Sequence, residues 1–374
     1  MKKLLLLVAV LLLGKLYAQQ QPQNNPVVLA YVTSWSSILP DPDYVTHINY
    51  AFGHVNESFN GVIINRPPRP GSNVPDGRAT AEDRLRSVVE LKKQKPSLKI
   101  LLSIGGWGSG RFSEMAADPV NRLAFAADCQ RLILEFGLDG IDMDWEYPTS
   151  SAARISSSPE DTDNFTLLMR DIRQAIGKDK LLTFASAANA GYVDFRAVDP
   201  YVDFINIMTY DFELNGSVHH AGLFRSGLTG EAGRGISCEE SVEKHIEAGV
   251  PIHKLTLGIP FYGRGRDSIP ASVNFNNTIV RDGVLGVIVR GDIVQLKGHK
   301  DMWDDVAQAS YWVDADGKFV LTYETPKSIA AKCAWLKQKG MLGAMYWEYA
   351  GDDPHGTLRK AVYYGVRCHL ATAQ

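Results

Sequence analysis

The feature that most constrains the fold of this chain is a regular alternation of short apolar segments with longer amphipathic ones. The short segments are rich in β-branched and aromatic residues, as buried parallel strands are. The predicted strands are Val28–Thr33, His47–Phe52, Lys99–Gly105, Gly140–Glu146, Leu181–Ala187, Phe204–Asp211, Leu255–Tyr262 and Gly343–Tyr349. The predicted helices are Asp83–Lys93, Val120–Phe136, Asn164–Ile176, Glu239–Ala248, Pro326–Lys339 and Thr357–Val366. Eight parallel strands that alternate with helices close into a barrel, so we predict a fold of the α/β class, a (β/α)8 TIM barrel.

Two segments interrupt this alternation. Residues 265–319, between the seventh strand and the helix that precedes the eighth, are too many for a simple loop. Alternating apolar runs within them, such as Val287–Val289 and Ser310–Val313, predict a small α+β insertion on the upper rim of the barrel. Residues 65–78 are rich in Pro, Gly and Asn, which predicts a surface loop.

The N-terminus has the organisation of a secretory signal peptide. Lys2 and Lys3 precede an apolar run from Leu4 to Leu13, and the small residue Ala18 comes just before a Gln-rich stretch. The run is about half as long as a helix that crosses a bilayer, which favours cleavage over a retained membrane anchor. We predict that residues 1–18 are removed, that residues 19–374 form one barrel domain with its insertion, and that the protein is secreted or periplasmic.

Composition disfavours several classes of protein. Hydrophobic residues make up 45% and charged residues 22% of the 374, as in ordinary globular proteins. The formal net charge is -3 and no basic stripe is present, so nucleic acid is not an expected partner. The four cysteines include no C-x-x-C pair, which argues against metal binding through sulfur. Cys129 and Cys333 lie on apolar helical faces and are expected to be buried, whereas a disulfide that involves Cys238 or Cys368 stays open.

Three carboxylates recur at every second position of the fourth predicted strand. Side chains alternate between the two faces of a strand, so Asp142, Asp144 and Glu146 point the same way, into the barrel. Crowding them in a partly desolvated space raises the free energy of ionising all three, so at least one is expected to hold a proton near neutral pH. Glu146 lies nearest the carboxyl end of the strand, where barrel enzymes have their active sites, and is the best candidate for a general acid. A divalent-metal site and a solvated acidic edge strand are the alternatives, and the apolar residues between the carboxylates disfavour the second.

The pattern Asp139-x-x-Asp142-x-Asp144-x-Glu146 resembles the signature of family-18 glycoside hydrolases, the chitinase-type enzymes. Other stretches resemble the same family in the same order along the chain. They are Tyr50-Ala51-Phe52, Ser103-Ile104-Gly105-Gly106-Trp107, Met208-Thr209-Tyr210-Asp211, Gly258-Ile259-Pro260-Phe261-Tyr262-Gly263-Arg264 and Gly343-Ala344-Met345-Tyr346-Trp347. The resemblance extends over nearly the whole mature chain and includes the insertion.

The resemblance implies retaining hydrolysis without an enzyme nucleophile, because the N-acetyl group of the substrate attacks the anomeric carbon. Glu146 would protonate the glycosidic oxygen and then act as the base toward water. Asp144 would orient the acetamide and stabilise its positive charge, and Asp142 would share a proton or a hydrogen bond with Asp144. Tyr210 would donate a hydrogen bond to the acetamide carbonyl, although a core tyrosine is the alternative. The resemblance implies neither a metal nor an organic cofactor.

The same resemblance implies a sugar-binding trough lined by aromatic rings, since sugars present apolar C–H faces. Trp347 would form its floor, and Gly105 and Gly106 would allow a tight turn close to the ligand. Each aromatic residue, taken singly, fits an ordinary core position equally well. The other candidate substrate-binding residues are Trp35, Phe52, Trp107, Tyr147, Met208, Asp211, Tyr262 and Arg264.

Two features depart from the family pattern or carry no function. Residues Phe212–Val218 follow Asp211 where related chitinases often have a tryptophan, which leaves the contacts to the leaving-group sugar unassigned. His219 and His220 are adjacent, so they do not share a face, and we interpret them as part of a surface loop.

We therefore predict a monomeric enzyme that hydrolyses β-1,4-linked N-acetylglucosamine chains, that is, chitin or its oligomers. An endo-β-N-acetylglucosaminidase that cuts the chitobiose core of N-glycans is the nearest alternative, because the same chemistry would serve it. A non-catalytic chitin-binding lectin is an alternative from another class. In such a lectin the acid position is typically replaced, whereas Glu146 and Asp144 are both present here.

Overall fold

The computed structural model describes residues 25–65, 80–228, 235–265, 273–274, 278–281, 284–289, 292–295 and 300–368. The predicted signal peptide lies outside these residues, as does nearly all of the predicted loop 65–78.

Eight parallel strands form a closed barrel, which confirms the predicted fold class. They are β1 (Val27–Thr33), β2 (His47–Val55), β3 (Lys99–Gly105), β4 (Gly140–Asp144), β5 (Leu181–Ala187), β6 (Phe204–Met208), β7 (Leu255–Pro260) and β8 (Gly343–Trp347). Each strand pairs with its neighbours in sequence, and β8 pairs with β1 to close the ring. This order is expected of a repeated βα unit, in which a helix leads from each strand to the parallel strand beside it. A further short strand, Val62–Ile63, pairs antiparallel with the end of β2.

Helices surround the barrel, and five of the eight α-helices in the described part of the chain begin at a residue whose side chain caps the helix. The α-helices are Ala81–Val89, Phe112–Ala117, Pro119–Phe136, Asp161–Ile176, Phe195–Val198, Cys238–Glu247, Pro326–Lys339 and Thr357–Arg367. Short 3-10 helices are Pro42–Tyr44, Glu90–Lys93, Asp199–Tyr201, Phe212–Asn215, Ile252–Lys254 and Tyr349–Gly351. Ser237 and Glu240 satisfy each other's backbone N–H groups in a capping box, which fixes the start of the helix after β6.

Four strands end earlier than the sequence analysis predicted, among them β8, which ends at Trp347 rather than Tyr349. β4 ends at Asp144 rather than Glu146, and β6 ends at Met208 rather than Asp211. β7 ends at Pro260, and Tyr262–Gly265 pairs instead with the insertion. The chain leaves the sheet at the carboxyl ends of these strands. Beyond them, the side chains of Glu146, Tyr210, Asp211 and Tyr262 reach the open mouth of the barrel.

The insertion between β7 and the helix Pro326–Lys339 consists of antiparallel strands. One sheet contains Tyr262–Gly265, Val273–Asn274, Lys300–Asp304, Ala309–Val313 and Phe319–Tyr323, and a second contains Thr278–Arg281, Val284–Val289 and Asp292–Gln295. Between Tyr262 and Tyr323 the described residues form strands and no helix, so the helical part of the expected α+β insertion is not found among them.

The core has an outer and an inner part. The outer part, between strands and helices, buries residues such as Ile48, Ile141 and Phe165, and it includes Cys129 and Cys333 as expected. The inner part, in the barrel lumen, contains Tyr31, Phe52 and Met345. All four cysteines are free thiols, so the disulfide that the sequence left open is not formed. No helix within the described part of the chain is both long and apolar enough to cross a membrane.

Candidate active site

The three carboxylates of β4 lie at increasing height in the barrel. Asp142 is fully buried and Asp144 is 4% exposed, whereas Glu146, two residues beyond the strand, is partly exposed. Asp144 and Glu146 line a cleft of about 1090 Å³ at the carboxyl ends of the strands. The row of carboxylates therefore runs from the closed lumen to the open cleft.

Asp142 is held by four side chains that donate hydrogen bonds to it. Tyr31 Oη and Ser103 Oγ donate to Oδ2 at 2.9 and 2.8 Å, and Thr183 Oγ1 and Asn206 Nδ2 donate to Oδ1 at 2.6 and 3.2 Å. Burial raises the pKa of Asp142, and these hydrogen bonds lower it in part. None of the four donors was singled out from the sequence as a partner of Asp142. Ser103 and Thr183 could have been predicted as partners, because strand register pairs both with Asp142.

Asp144 has a different environment, although it is also buried. Its Oδ1 atom has no hydrogen-bond partner among the described residues. Burial, followed by the negative charges of Glu146 and Asp142, raises the pKa of Asp144 well above its ordinary value. An oxygen in this position can accept a hydrogen bond from a ligand or carry a proton itself.

Burial also raises the pKa of Glu146, to about 7. This value already includes a decrease caused by a hydrogen bond with Tyr147 and an increase caused by the charge of Asp211. A carboxyl group with a pKa near 7 can deliver and recover a proton at neutral pH. The directions for all three carboxylates agree with the expectation that at least one holds a proton.

Tyr210 and Asp211 follow β6 and face the same cleft. Burial and then the charges of Asp144 and Glu146 raise the pKa of Tyr210 well above its ordinary value, so its hydroxyl group remains a hydrogen-bond donor. Asp211 accepts hydrogen bonds from Tyr262 Oη at 2.6 Å and from Arg264 Nε at 2.9 Å. Arg264 was named from the sequence as a candidate substrate-binding residue. Its guanidinium lines the cleft but is bound to Asp211 and, at 3.2 Å, to Glu213.

The interpretation of His219 and His220 as a surface loop was wrong. The two residues are only 2% and 1% exposed. His219 Nε2 lies 3.0 Å from Asp304 Oδ2 in the insertion, while the ring of His220 packs against Tyr262 at 5.4 Å between centroids. Because they are adjacent they do face different ways, as expected, but the insertion covers both.

Aromatic rings form a continuous surface on one side of the cleft. Trp347 stacks on Phe52 with 5.5 Å between ring centroids, and it also contacts Tyr31 and Trp35. Trp35 is 53% exposed, so it is not an ordinary core residue. Met208 packs beside this group as a partly buried residue.

A second aromatic group lies on another wall of the cleft. Trp107, 63% exposed, contacts Tyr147, which stacks on Tyr192 at 4.9 Å and 8° between planes. Tyr192 was missed by the sequence analysis. It lies in the loop after β5, where no periodic pattern marks it.

Two glycines at the carboxyl end of β3 hold the backbone close to the site. Gly105 and Gly106 have φ values of +133° and +88°, and Gly106 N donates to Asp144 O at 2.8 Å. A Cβ atom on Gly106 would lie 2.6 Å from the ring of Phe52. Asp139 lies at the opposite end of β4, where it pairs with Lys92 at 2.7 Å and accepts from Ile100 N. It is remote from the cleft and stabilises the lower end of the barrel.

Comparison with known sequences agrees with this geometry. The profile of glycosyl hydrolases family 18 matches residues 27–352. The chain belongs to glycosyl hydrolase family 18. Chitinase A1 of Niallia circulans is 32% identical over 90% of this chain, and this chain spans only 58% of that protein.

Solved structures of family-18 proteins resemble the whole barrel. An N-acetylglucosaminidase of Paenibacillus barengoltzii has a TM-score of 0.71 and 33% identity, with 91% of this chain and 100% of that chain covered. Chitinase ChiW of a Paenibacillus strain has a TM-score of 0.75 and 29% identity, with 92% and 43% covered.

This family-18 chain departs from the pattern of related chitinases just after Asp211. Phe212 is buried, and Leu214, which is 74% exposed, lines the cleft. A leucine offers apolar contact but no flat aromatic face.

Proposed function

We propose that this glycosyl hydrolase cleaves β-1,4-linked N-acetylglucosamine chains with retention of configuration, and that the N-acetyl group of the substrate supplies the nucleophile. The observation that carries the proposal is the buried Asp144 Oδ1, which has no partner among the described residues and lies beside the raised-pKa Glu146. An amide N–H is a ligand group that would satisfy this oxygen. An acetamide bound there also lies within the negative field of two carboxylates.

In the first step, Glu146 donates its proton to the glycosidic oxygen as the bond from that oxygen to the anomeric carbon breaks. The acetamide carbonyl oxygen forms a bond to the same carbon, which produces a cyclic oxazolinium ion and a free sugar leaving group. Asp144 accepts the amide N–H and balances the positive charge, and Tyr210 donates to the carbonyl oxygen and aligns it. In the second step, Glu146 takes a proton from water, whose oxygen opens the ring from the face that the leaving group left.

The aromatic rings support a sugar chain as the substrate. Trp347, with Phe52 and Trp35, provides one apolar surface for sugar rings, and Trp107 with Tyr147 provides a second. Asp211, Met208, Tyr262 and Arg264 complete the wall, with Arg264 in reach of sugar oxygens once its contacts with Asp211 adjust. Such surfaces bury the C–H faces of sugars and leave hydroxyl groups at the rim.

A second candidate is the release of single N-acetylglucosamine units. It is favoured by the similarity to the N-acetylglucosaminidase of P. barengoltzii, all of which this chain covers. Hydrolysis of a defined hexamer separates the two: disaccharide and longer products support a chitinase, and monosaccharide from the first minutes supports the second candidate. No release of glycan from an N-glycosylated protein is expected. We further propose that the protein acts as a monomer outside the cytoplasm, after removal of residues 1–18.

The test of the mechanism is the variant Glu146→Gln, which removes the proton that the first step needs. We expect kcat to fall by at least about a thousandfold, since the residue serves as both acid and base, while oligosaccharide binding by calorimetry is retained. Glu243→Gln, on the exposed face of the helix Cys238–Glu247, is the matched control and should have normal activity. Near-normal hydrolysis by Glu146→Gln would contradict the assignment. An α-anomer as the first product in the NMR spectrum of the wild-type reaction would contradict the retaining mechanism.

A further inference from the structure

A group of three potential metal ligands lies at the wall of the cleft, which one of them, Asp211, lines. Asp211, Glu213 and His220 each offer one ligand atom, and these atoms all lie within 4.8 Å of one another. Asp211 and Glu213 follow the end of β6, and His220 lies in the loop after them, which packs against the insertion. It is distinct from Asp142, Asp144 and Glu146, which the proposed reaction uses.

His220 gives this group its significance. Its side chain is 1% exposed, and neither ring nitrogen has a hydrogen-bond partner among the described residues. The other fully buried histidines are satisfied: His219 Nε2 contacts Asp304 at 3.0 Å, and His245 contacts Ser186 and the Ser241 carbonyl at 2.8 and 2.6 Å. A buried imidazole that has no hydrogen-bond partner among the described residues and lies close to two carboxylates suits metal binding better than a purely structural role.

The charge of the group also favours a cation. Arg264 contacts both carboxylates, at 2.7 Å for Asp211 and 3.2 Å for Glu213. Both carboxylates therefore already bind a cationic group. A dication that displaced Arg264 would balance both carboxylates and would also bind a ring nitrogen of His220, which has no hydrogen-bond partner among the described residues.

We infer that Asp211, Glu213 and His220 form a binding site for zinc or a divalent transition metal of similar chemistry, and that its occupation inhibits hydrolysis. Zinc binds imidazole nitrogen and carboxylate oxygen at about 2.0–2.2 Å, commonly with three protein ligands and one open position. Ligand atoms around such an ion are about 3–4 Å apart, so a small contraction of the group suffices. Calcium and magnesium prefer oxygen ligands alone and are not expected to bind there.

Inhibition follows from the residues that the metal would take. Asp211 would lose its hydrogen bond from Tyr262, and Arg264 would move into the cleft. The group that raises the pKa of Glu146 would also be neutralised. This second half of the inference rests on the proposed function, whereas metal binding does not.

The test is calorimetric titration of the chelator-washed full chain with zinc chloride. The wild type should bind one zinc ion, and His220→Gln should bind it at least tenfold more weakly, since loss of even a supporting residue costs a metal site that much. Glu213→Gln should weaken binding similarly and provides the answer if His220→Gln does not fold. His253→Gln is the matched control, because this exposed histidine precedes β7 at the other end of the barrel and should leave the affinity unchanged.

Equal zinc affinity of the wild type, His220→Gln and Glu213→Gln would overturn the inference. So would the finding that millimolar calcium displaces bound zinc as effectively as added zinc does. A parallel assay measures inhibition of oligosaccharide hydrolysis, in which His220→Gln should need at least tenfold more zinc than the wild type. Tight zinc binding without inhibition would overturn the inhibitory role alone. If the chain cleaved no N-acetylglucosamine substrate, the proposed function would fail while the calorimetric result would still decide the metal site.

Discussion

The pH dependence of hydrolysis should be set at its basic side by Glu146, whose pKa is about 7. The proposed first step needs the protonated form of this residue. Burial raises the pKa above the ordinary value of about 4.3, so the active form persists to neutral pH and is lost as the pH rises through about 7. About one tenth of the enzyme carries the proton at pH 8 and about one hundredth at pH 9, so kcat/KM should fall roughly tenfold per pH unit.

Two substitutions should move this basic limb in opposite directions. Asp211→Asn removes a negative charge that raises the pKa of Glu146, so the limb should move to lower pH. Tyr147→Phe removes a hydrogen bond that lowers it, so the limb should move to higher pH. Both residues line the cleft, and either change can lower the rate itself, but the position of the limb does not depend on the absolute rate.

The assay is kcat/KM on a soluble chitin oligomer from about pH 5 to about pH 9, with reducing ends measured after quenching. Glu243→Gln should reproduce the wild-type profile. A wild-type limb near the ordinary glutamate pKa of about 4.3 would refute the reasoning. So would a shift of both variants in the same direction.

Three further outcomes are expected. Gly106→Ala should lower kcat/KM by roughly ten- to a hundredfold, because its Cβ atom would meet the Phe52 ring. Gly137 has a similar positive φ but open space around it, so Gly137→Ala should leave kcat/KM unchanged in the same steady-state assay. Lys332→Met should destabilise the fold by about 3–5 kcal/mol in urea unfolding, since it strands the buried Glu324, and Lys332→Met/Glu324→Gln should be more stable than the single variant. Exhaustive chelation should leave hydrolysis undiminished, because acid and nucleophile come from Glu146 and the substrate; loss that returns with added magnesium or zinc would contradict this.

The barrel could be predicted from the sequence because its strands are buried on both faces. Runs such as Lys99–Gly105 and Leu181–Ala187 are mostly apolar or β-branched, and their observed bounds equal the predicted ones. The predicted ends were wrong at β4, β6, β7 and β8. At β4 and β6 the side chains continue to alternate after the backbone has left the sheet. Side-chain periodicity reports which residues face one way, but it does not report where the hydrogen-bond ladder stops.

The position of the carboxylates could also be predicted, because it follows from parity within one strand. The environment of His220 could not, since burial there depends on an insertion that begins more than 40 residues later in the chain. Tyr192 escaped for a related reason: its ring is positioned by Tyr147, which lies in a different loop. Contacts between loops are tertiary, and no local pattern encodes them.

The difference in hydrogen bonding along β4 explains how one barrel can hold three neighbouring carboxylates. A negative charge costs least at Asp142, where four donors replace water, and most at Asp144, whose Oδ1 has no partner among the described residues. Protons are therefore held preferentially on Asp144 and Glu146 until a ligand arrives. In the proposed mechanism the acetamide N–H supplies the missing donor. Substrate binding therefore lowers the free energy of ionising Asp144, close to where the positive charge of the oxazolinium ion develops. The same substrate group thus prepares its stabilising carboxylate and performs the attack, which ties catalysis to sugars that carry an N-acetyl group.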